Sequence, residues 1–150
     1  MRYTRNLRLM GFTFHIVSDG TAITRLERGT APESDTCPVI DAAITQLTEY
    51  AAGSRTEFDL PVKPVGTDFQ QAVWAALQTI PYGETRTYGE IAAQIGRPKA
   101  VRAVGGACNK NRILLLIPCH RVIGKNGSLT GFGAGPDMKA ELLNLEKREL

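Results

Sequence analysis

Among its 150 residues the chain has two histidines and three cysteines, and none of them falls at Cys-x-x-Cys or Cys/His ligand spacing. That argues against a structural metal. Cys37, Cys108 and Cys119 cannot all pair with one another, so reduced thiols in a cytoplasmic protein are the expectation. No apolar run reaches the roughly 18 residues that a membrane span needs. Met1-Arg2-Tyr3-Thr4-Arg5-Asn6 is not followed by an apolar secretory core, so export is not expected either. The glycine-rich stretch near the end lacks the Gly-Lys-Ser/Thr spacing of a phosphate-cradling loop.

What is present suits a folded chain: 43% of the residues are hydrophobic, enough to bury a core at 16.3 kDa. The net charge of +3 hides an asymmetry. Residues 1–79 carry 7 basic and 9 acidic side chains, and residues 80–150 carry 11 and 6. Between Arg86 and Lys125 there are eight basic residues against one acid, Glu90. A basic stretch of this kind is either a solvated surface or a phosphate-binding one.

In chain order, residues 7–29 read as β structure, with Phe12, Phe14 and Ile16 alternating and Asp19-Gly20 as a turn. Pro38 suits the first turn of a helix reaching about Ala51, with Gly53 as its stop. A junction is expected in the Pro-containing stretch 54–66, dividing the chain into an N-terminal α/β subdomain, 1–64, and a second domain, 65–150. Thr67-Asp68-Phe69-Gln70 and Thr87-Tyr88-Gly89-Glu90 both have capping-box form. The second box opens a short helix that ends at Gly96. Another helix is expected from Pro98 to about Asn109, giving a helix-turn-helix. In it Val101, Val104 and Cys108 form an inward stripe. Gly105 and Gly106 each cost about 1 kcal/mol relative to alanine, a loss that close backbone approach by another body would compensate.

Residues 113–117 are five consecutive apolar residues, which suggests a buried strand or extended segment. Pro118 ends it, and Cys119, His120 and Arg121 follow without a gap. Adjacent positive charge lowers a thiol's pKa from about 8.5 and makes it a nucleophile. On the last helix, Glu146 falls within the arc of Met138, Leu142, Leu143 and Leu145. A carboxylate on an apolar face needs a partner, and His120 is the candidate.

Pro118-Cys119-His120-Arg121-Val122, with Arg102-Ala103-Val104-Gly105-Gly106-Ala107, Asn111 and Leu143-Asn144-Leu145-Glu146, resembles the O6-alkylguanine-DNA alkyltransferase family. The resemblance covers roughly residues 67–148. It implies an α+β protein, an N-terminal antiparallel sheet with one helix followed by a winged helix-turn-helix carrying the active site. The implied partner is double-stranded DNA containing alkylated guanine, with no cofactor, no metal and no membrane, the protein being a cytoplasmic monomer. It implies that Cys119 is the alkyl acceptor, that His120 deprotonates it through a water, and that Glu146 supports His120. Tyr88 would give a proton to the leaving base, and Asn111 would tie the recognition helix to the active-site turn. Arg102, Ala103, Gly105, Cys108, Arg121 and Thr87 would contact DNA, Arg102 filling the gap left by an extruded base. Val122, Phe132, Gly133 and Ala134 would form the base pocket, within a wing and lid made by the glycine-rich loop 124–135.

The chain departs from the family pattern at three positions. Gly133 stands where many relatives have a hydroxyl residue, and Ala134 where glycine is usual, which narrows the pocket. Arg112 replaces a proline after the Asn and offers an added phosphate contact. Two other readings stay open: a helix-turn-helix regulator with a structural Cys119, and a Cys–His hydrolase of small molecules.

Overall fold

The computed structural model describes residues 1–129 and 132–148. They fall into two compact units, Met1–Pro64 with Arg112–Leu116, and Val65–Asn111 with the chain from Ile117 onward.

The first unit is built on strands β1 (Tyr3–Leu9), β2 (Phe12–Ser18) and β3 (Ile23–Arg28), antiparallel in the order β1-β2-β3. Phe14 and Ile16 point to its buried face, as their alternation requires. The sheet begins four residues earlier than the alternation suggested, because Tyr3 to Asn6 are polar or aromatic and pair through their backbone. Helix α1 (Pro38–Ala51) starts at its proline and buries Ile40, Ala43, Leu47 and Tyr50. It ends where Gly53, at φ 81°, donates to Tyr50 O, and Ser54 donates to Glu49 O. That pair of bonds is a Schellman stop, which glycine makes without strain.

Residues 112–116 belong to this unit, and the apolar run 113–117, expected as a buried strand or extended segment, is buried and forms a single bridge rather than a strand. Leu26 N–H donates to Arg112 O at 2.8 Å and Leu114 N–H to Leu26 O at 2.8 Å, forming a single bridge at Ile113. The chain then turns. Leu115 sits at φ 68°, and Leu116 N–H donates to Leu114 O at 2.7 Å, closing a γ-turn. A leucine in that region costs on the order of 1–3 kcal/mol, which the burial of five consecutive apolar side chains, 113 to 117, offsets. Arg112, its side chain largely exposed, has its Nε 3.3 Å from Glu27 Oε2.

The second unit is helical. Helix α2 (Asp68–Leu77) and helix α3 (Tyr88–Gln94) each open on a complete capping box, at Thr67/Gln70 and Thr87/Glu90. At the end of α3 Gly96, at φ 78°, donates to Ala93 O and Arg97 N–H to Ala92 O, a second Schellman stop. Helix α4 (Val101–Asn109) follows, completing the helix-turn-helix. It starts three residues later than Pro98, since residues 97–100 make a turn with Ala100 N–H on Arg97 O. Its first turn therefore lies at the surface, and Val101, expected inward, is 42% exposed. Val104, Ala107 and Cys108 form its buried face, and Trp74 Nε1 donates to Ala107 O at 2.9 Å. Two short strands, β4 (Arg86–Thr87) and β5 (Val122–Ile123), pair in parallel, so the start of α3 lies beside the chain that leaves Arg121. After β5 a turn with Gly127 at φ 81° returns Ser128 O to Gly124 N–H at 2.9 Å. Helix α5 (Pro136–Arg148) closes the unit.

Candidate active site and nucleic-acid interface

Pro118, at φ −80° and ψ 65°, makes a second γ-type turn in which Cys119 N–H donates to Ile117 O at 2.8 Å. Cys119, His120 and Arg121 then form one 3₁₀ turn, with all three side chains buried. In this turn Cys119 meets Asn111, while His120 and Arg121 share Glu146.

Asn111 reaches Cys119. Its Nδ2 donates to Ile117 O at 2.8 Å and to Cys119 Sγ at 3.2 Å, linking the end of α4 to the turn. The sulfur is 2% exposed, and burial pushes its thiol up to about 11, outweighing the Asn111 amide and the Lys139 ammonium, which pull it down. The sequence suggested a thiolate stabilised by adjacent cations. At rest the group is a neutral thiol, because burial outweighs the groups that would favour the anion.

His120 Nε2 lies 2.6 Å from Glu146 Oε2, where the carboxylate accepts its proton. Arg121 holds the same carboxylate in a fork, Nε to Oε1 at 2.8 Å and Nη2 to Oε2 at 3.1 Å, while its Nη1 donates to Ile80 O at 2.7 Å. Burial raises Glu146, yet the bonds and charges of His120 and Arg121 prevail and hold it near 2. Burial lowers His120, and the Arg121 cation adds to that against the pull of Glu146. The glutamate is thus an anion and the imidazole is neutral. With Nε2 committed to Glu146, Nδ1 carries the lone pair. It is buried and has no hydrogen-bond partner among the described residues, so it is the atom left to take a proton.

Glu146 and His120 meet as the apolar-face reasoning required. Arg121 was expected at the DNA surface and is 7% exposed with all its bonding turned inward; a guanidinium beside a buried carboxylate gains more there than in water. Cys108 is likewise corrected: its side chain is buried on the inner face of α4, where burial lifts the thiol to about 12.

Lys139 was missed. It is fully buried on α5, with Nζ 3.5 Å from Tyr88 Oη and 5.7 Å from that ring's centre. Burial lowers its ammonium, against the nearby thiols that raise it. Burial also lifts the Tyr88 phenol to about 12, so Tyr88 is a proton donor rather than an anion. The signal was its spacing: Lys139, Leu142 and Glu146 recur at helical intervals, so the lysine shares the face already singled out for Glu146.

The outer face of α4 presents Arg102, Ala103, Gly106, Asn109 and Lys110 to solvent. A side chain on Gly105 would meet only the Tyr88 ring at 3.9 Å, and one on Gly106 would meet nothing within 4 Å. The protein interior therefore requires neither glycine. Thr87 is partly buried, and its hydroxyl is engaged as the cap of α3. Val122 and Phe132 are buried, Ala134 is half-buried and Gly133 is exposed; Gly131 lies outside the described residues.

A helix-turn-helix with a wing, carrying a buried thiol beside a histidine, glutamate and arginine cluster, defines a DNA-binding protein class with a buried cysteine in its core. Residues 68–148 match the family model described as 6-O-methylguanine DNA methyltransferase, DNA binding domain. The chain belongs to that family. It is 61% identical over 105 residues to the methylated-DNA–protein-cysteine methyltransferase of Mycobacterium tuberculosis, an alignment covering 70% of this chain and 64% of that protein. The crystal structure of the Mycobacterium tuberculosis O6-methylguanine methyltransferase superposes with a TM-score of 0.92 at 44% identity, covering all of this chain and 95% of the other. A crystal structure of Mycobacterium tuberculosis OGT in complex with DNA gives 0.89 at 45% identity, covering 97% and 93%. Among the described residues no helix is long and apolar enough to cross a membrane.

Proposed function

We propose that this chain repairs DNA by moving an alkyl group from O6 of guanine onto Cys119 Sγ, and that each molecule does so once. The observation that carries the reading is the His120–Glu146–Arg121 cluster behind a buried thiol that Asn111 and Lys139 polarise. His120 Nδ1 takes the thiol proton through a water, and Glu146 stabilises the imidazolium that results. The thiolate attacks the alkyl carbon, an S–C bond forms and the C–O6 bond breaks. Tyr88 gives its proton to the leaving base, and the Lys139 ammonium beside it stabilises the phenolate. The product is a thioether that no base in the site can hydrolyse. O4-alkylthymine offers the same leaving geometry and is a second substrate. The base is extruded, since a carbon on a stacked base is out of a buried sulfur's reach; Val122, Phe132, Gly133 and Ala134 line its pocket. The protein acts as a cytoplasmic monomer on double-stranded DNA, without metal or cofactor.

Intact-mass measurement tests this directly. After mixing with duplex DNA containing O6-methylguanine, every chain should gain one methylene, located on Cys119, and Cys119→Ser should gain none. Repeated turnover, or a transient adduct from an ester, would instead favour the hydrolase. DNA binding with no adduct would favour the regulator.

The bare face of α4 supports a close approach to DNA, because its glycines serve no packing need. Gly106→Ala should stabilise the free protein by about 1 kcal/mol, alanine being the better helix former. The same variant should bind DNA at least tenfold more weakly, as the added methyl meets the narrow minor groove. Unchanged affinity in a filter-binding titration would show that this face stays clear of DNA.

A further inference from the structure

The loop at residues 132–135 lies between the wing turn and α5, with Gly135 N–H donating to Phe132 O at 3.1 Å. A Cβ built on Gly133 would lie 3.0 Å from Asn109 Oδ1 and 3.1 Å from Asn109 O. Both oxygens of Asn109 stand closer than ordinary contact and would have to give by a few tenths of an ångström. Gly133 is therefore glycine because α4 occupies its side-chain space, and its φ is not the cause.

Resting on the repair reading above, we propose that Asn109 is a specificity-determining residue, its carboxamide closing off the side of the alkyl pocket where a side chain at 133 would project. The polar group that a hydroxyl at 133 would have supplied comes from the recognition helix, two residues before Asn111 and its bond to Cys119 Sγ. A planar amide takes up more room than a hydroxyl, and the Ala134 methyl lies on the next residue. The pocket so bounded takes a one-carbon alkyl group and resists a branched or aromatic one.

The test is a cycle of four proteins: wild type, Asn109→Gly, Gly133→Ser and the double variant. Each is followed by single-turnover alkylation from duplexes carrying O6-methylguanine or O6-benzylguanine, and by thermal melting. Asn109→Gly should raise the benzyl-to-methyl rate ratio about tenfold, the scale of one methylene in a shaped pocket. Gly133→Ser should lower both the methyl rate and the melting temperature, and removing the Asn109 side chain should restore much of each. A ratio unmoved by Asn109→Gly, or a serine equally harmful in both backgrounds, overturns the inference while leaving the repair reading intact. A wild-type chain that accepts no alkyl group from either duplex overturns the repair reading, and this inference with it.

Discussion

Arg121→Ala should cost about 3–5 kcal/mol of stability, the usual loss when one partner of a buried ion pair is removed. The guanidinium makes three bonds in the interior, two to Glu146 and one to Ile80 O. Removing it takes both bonds of the fork from a carboxylate that is 1% exposed. The group would respond by taking up a proton, so its pKa should rise from near 2 toward or past the ordinary 4.5. Urea unfolding at neutral pH checks the loss, and Arg121→Lys should recover only part of it, since an ammonium cannot reproduce the fork. A loss below 1 kcal/mol would mean that Arg121 behaves as the surface residue its sequence neighbours suggest.

That mismatch shows which features can be read from sequence. Pro38, Gly53, Gly96 and the two capping boxes act within a few residues of themselves, so their pattern alone located helix ends that the structure reproduces. Glu146 was readable because a charge on an apolar helical face demands an explanation, and His120 was the nearest chemistry able to supply one. Arg121 was not readable. It stands in a basic stretch, and its partner lies 25 residues away on another helix. Residues 113–117 were equally opaque. Five apolar side chains demand burial but do not specify a backbone, and here the backbone is one bridge and a γ-turn at Leu115. The resting charge of Cys119 was misjudged for a related reason. Sequence places cations beside the sulfur, whereas burial governs its proton.

Glu146→Gln separates chemistry from binding more sharply than any other change. The amide keeps the shape of the carboxylate and can still accept from His120 Nε2, but it cannot stabilise an imidazolium. General-base catalysis contributes about 10²–10⁴-fold, so alkylation should slow by at least 10²-fold. DNA affinity should hold, because Glu146 is buried and the exposed face of α4 is untouched. The pH dependence gives an independent reading. Glu146 has a folded-state pKa near 2, below its ordinary 4.5, so the stability it contributes is complete above 4.5 and is lost as pH falls through 2. His120 is lowered from 6.5, so acid also favours the unfolded chain from 6.5 downward. Melting temperatures of the wild type should therefore fall continuously from pH 6.5 to 3, and those of Glu146→Gln should lose the part of that decline below 4.5. A variant that alkylates at the wild-type rate would detach His120 from its carboxylate and leave Cys119 without a base. A variant that is slow but retains the full acid decline would place the anion that matters on some residue other than Glu146.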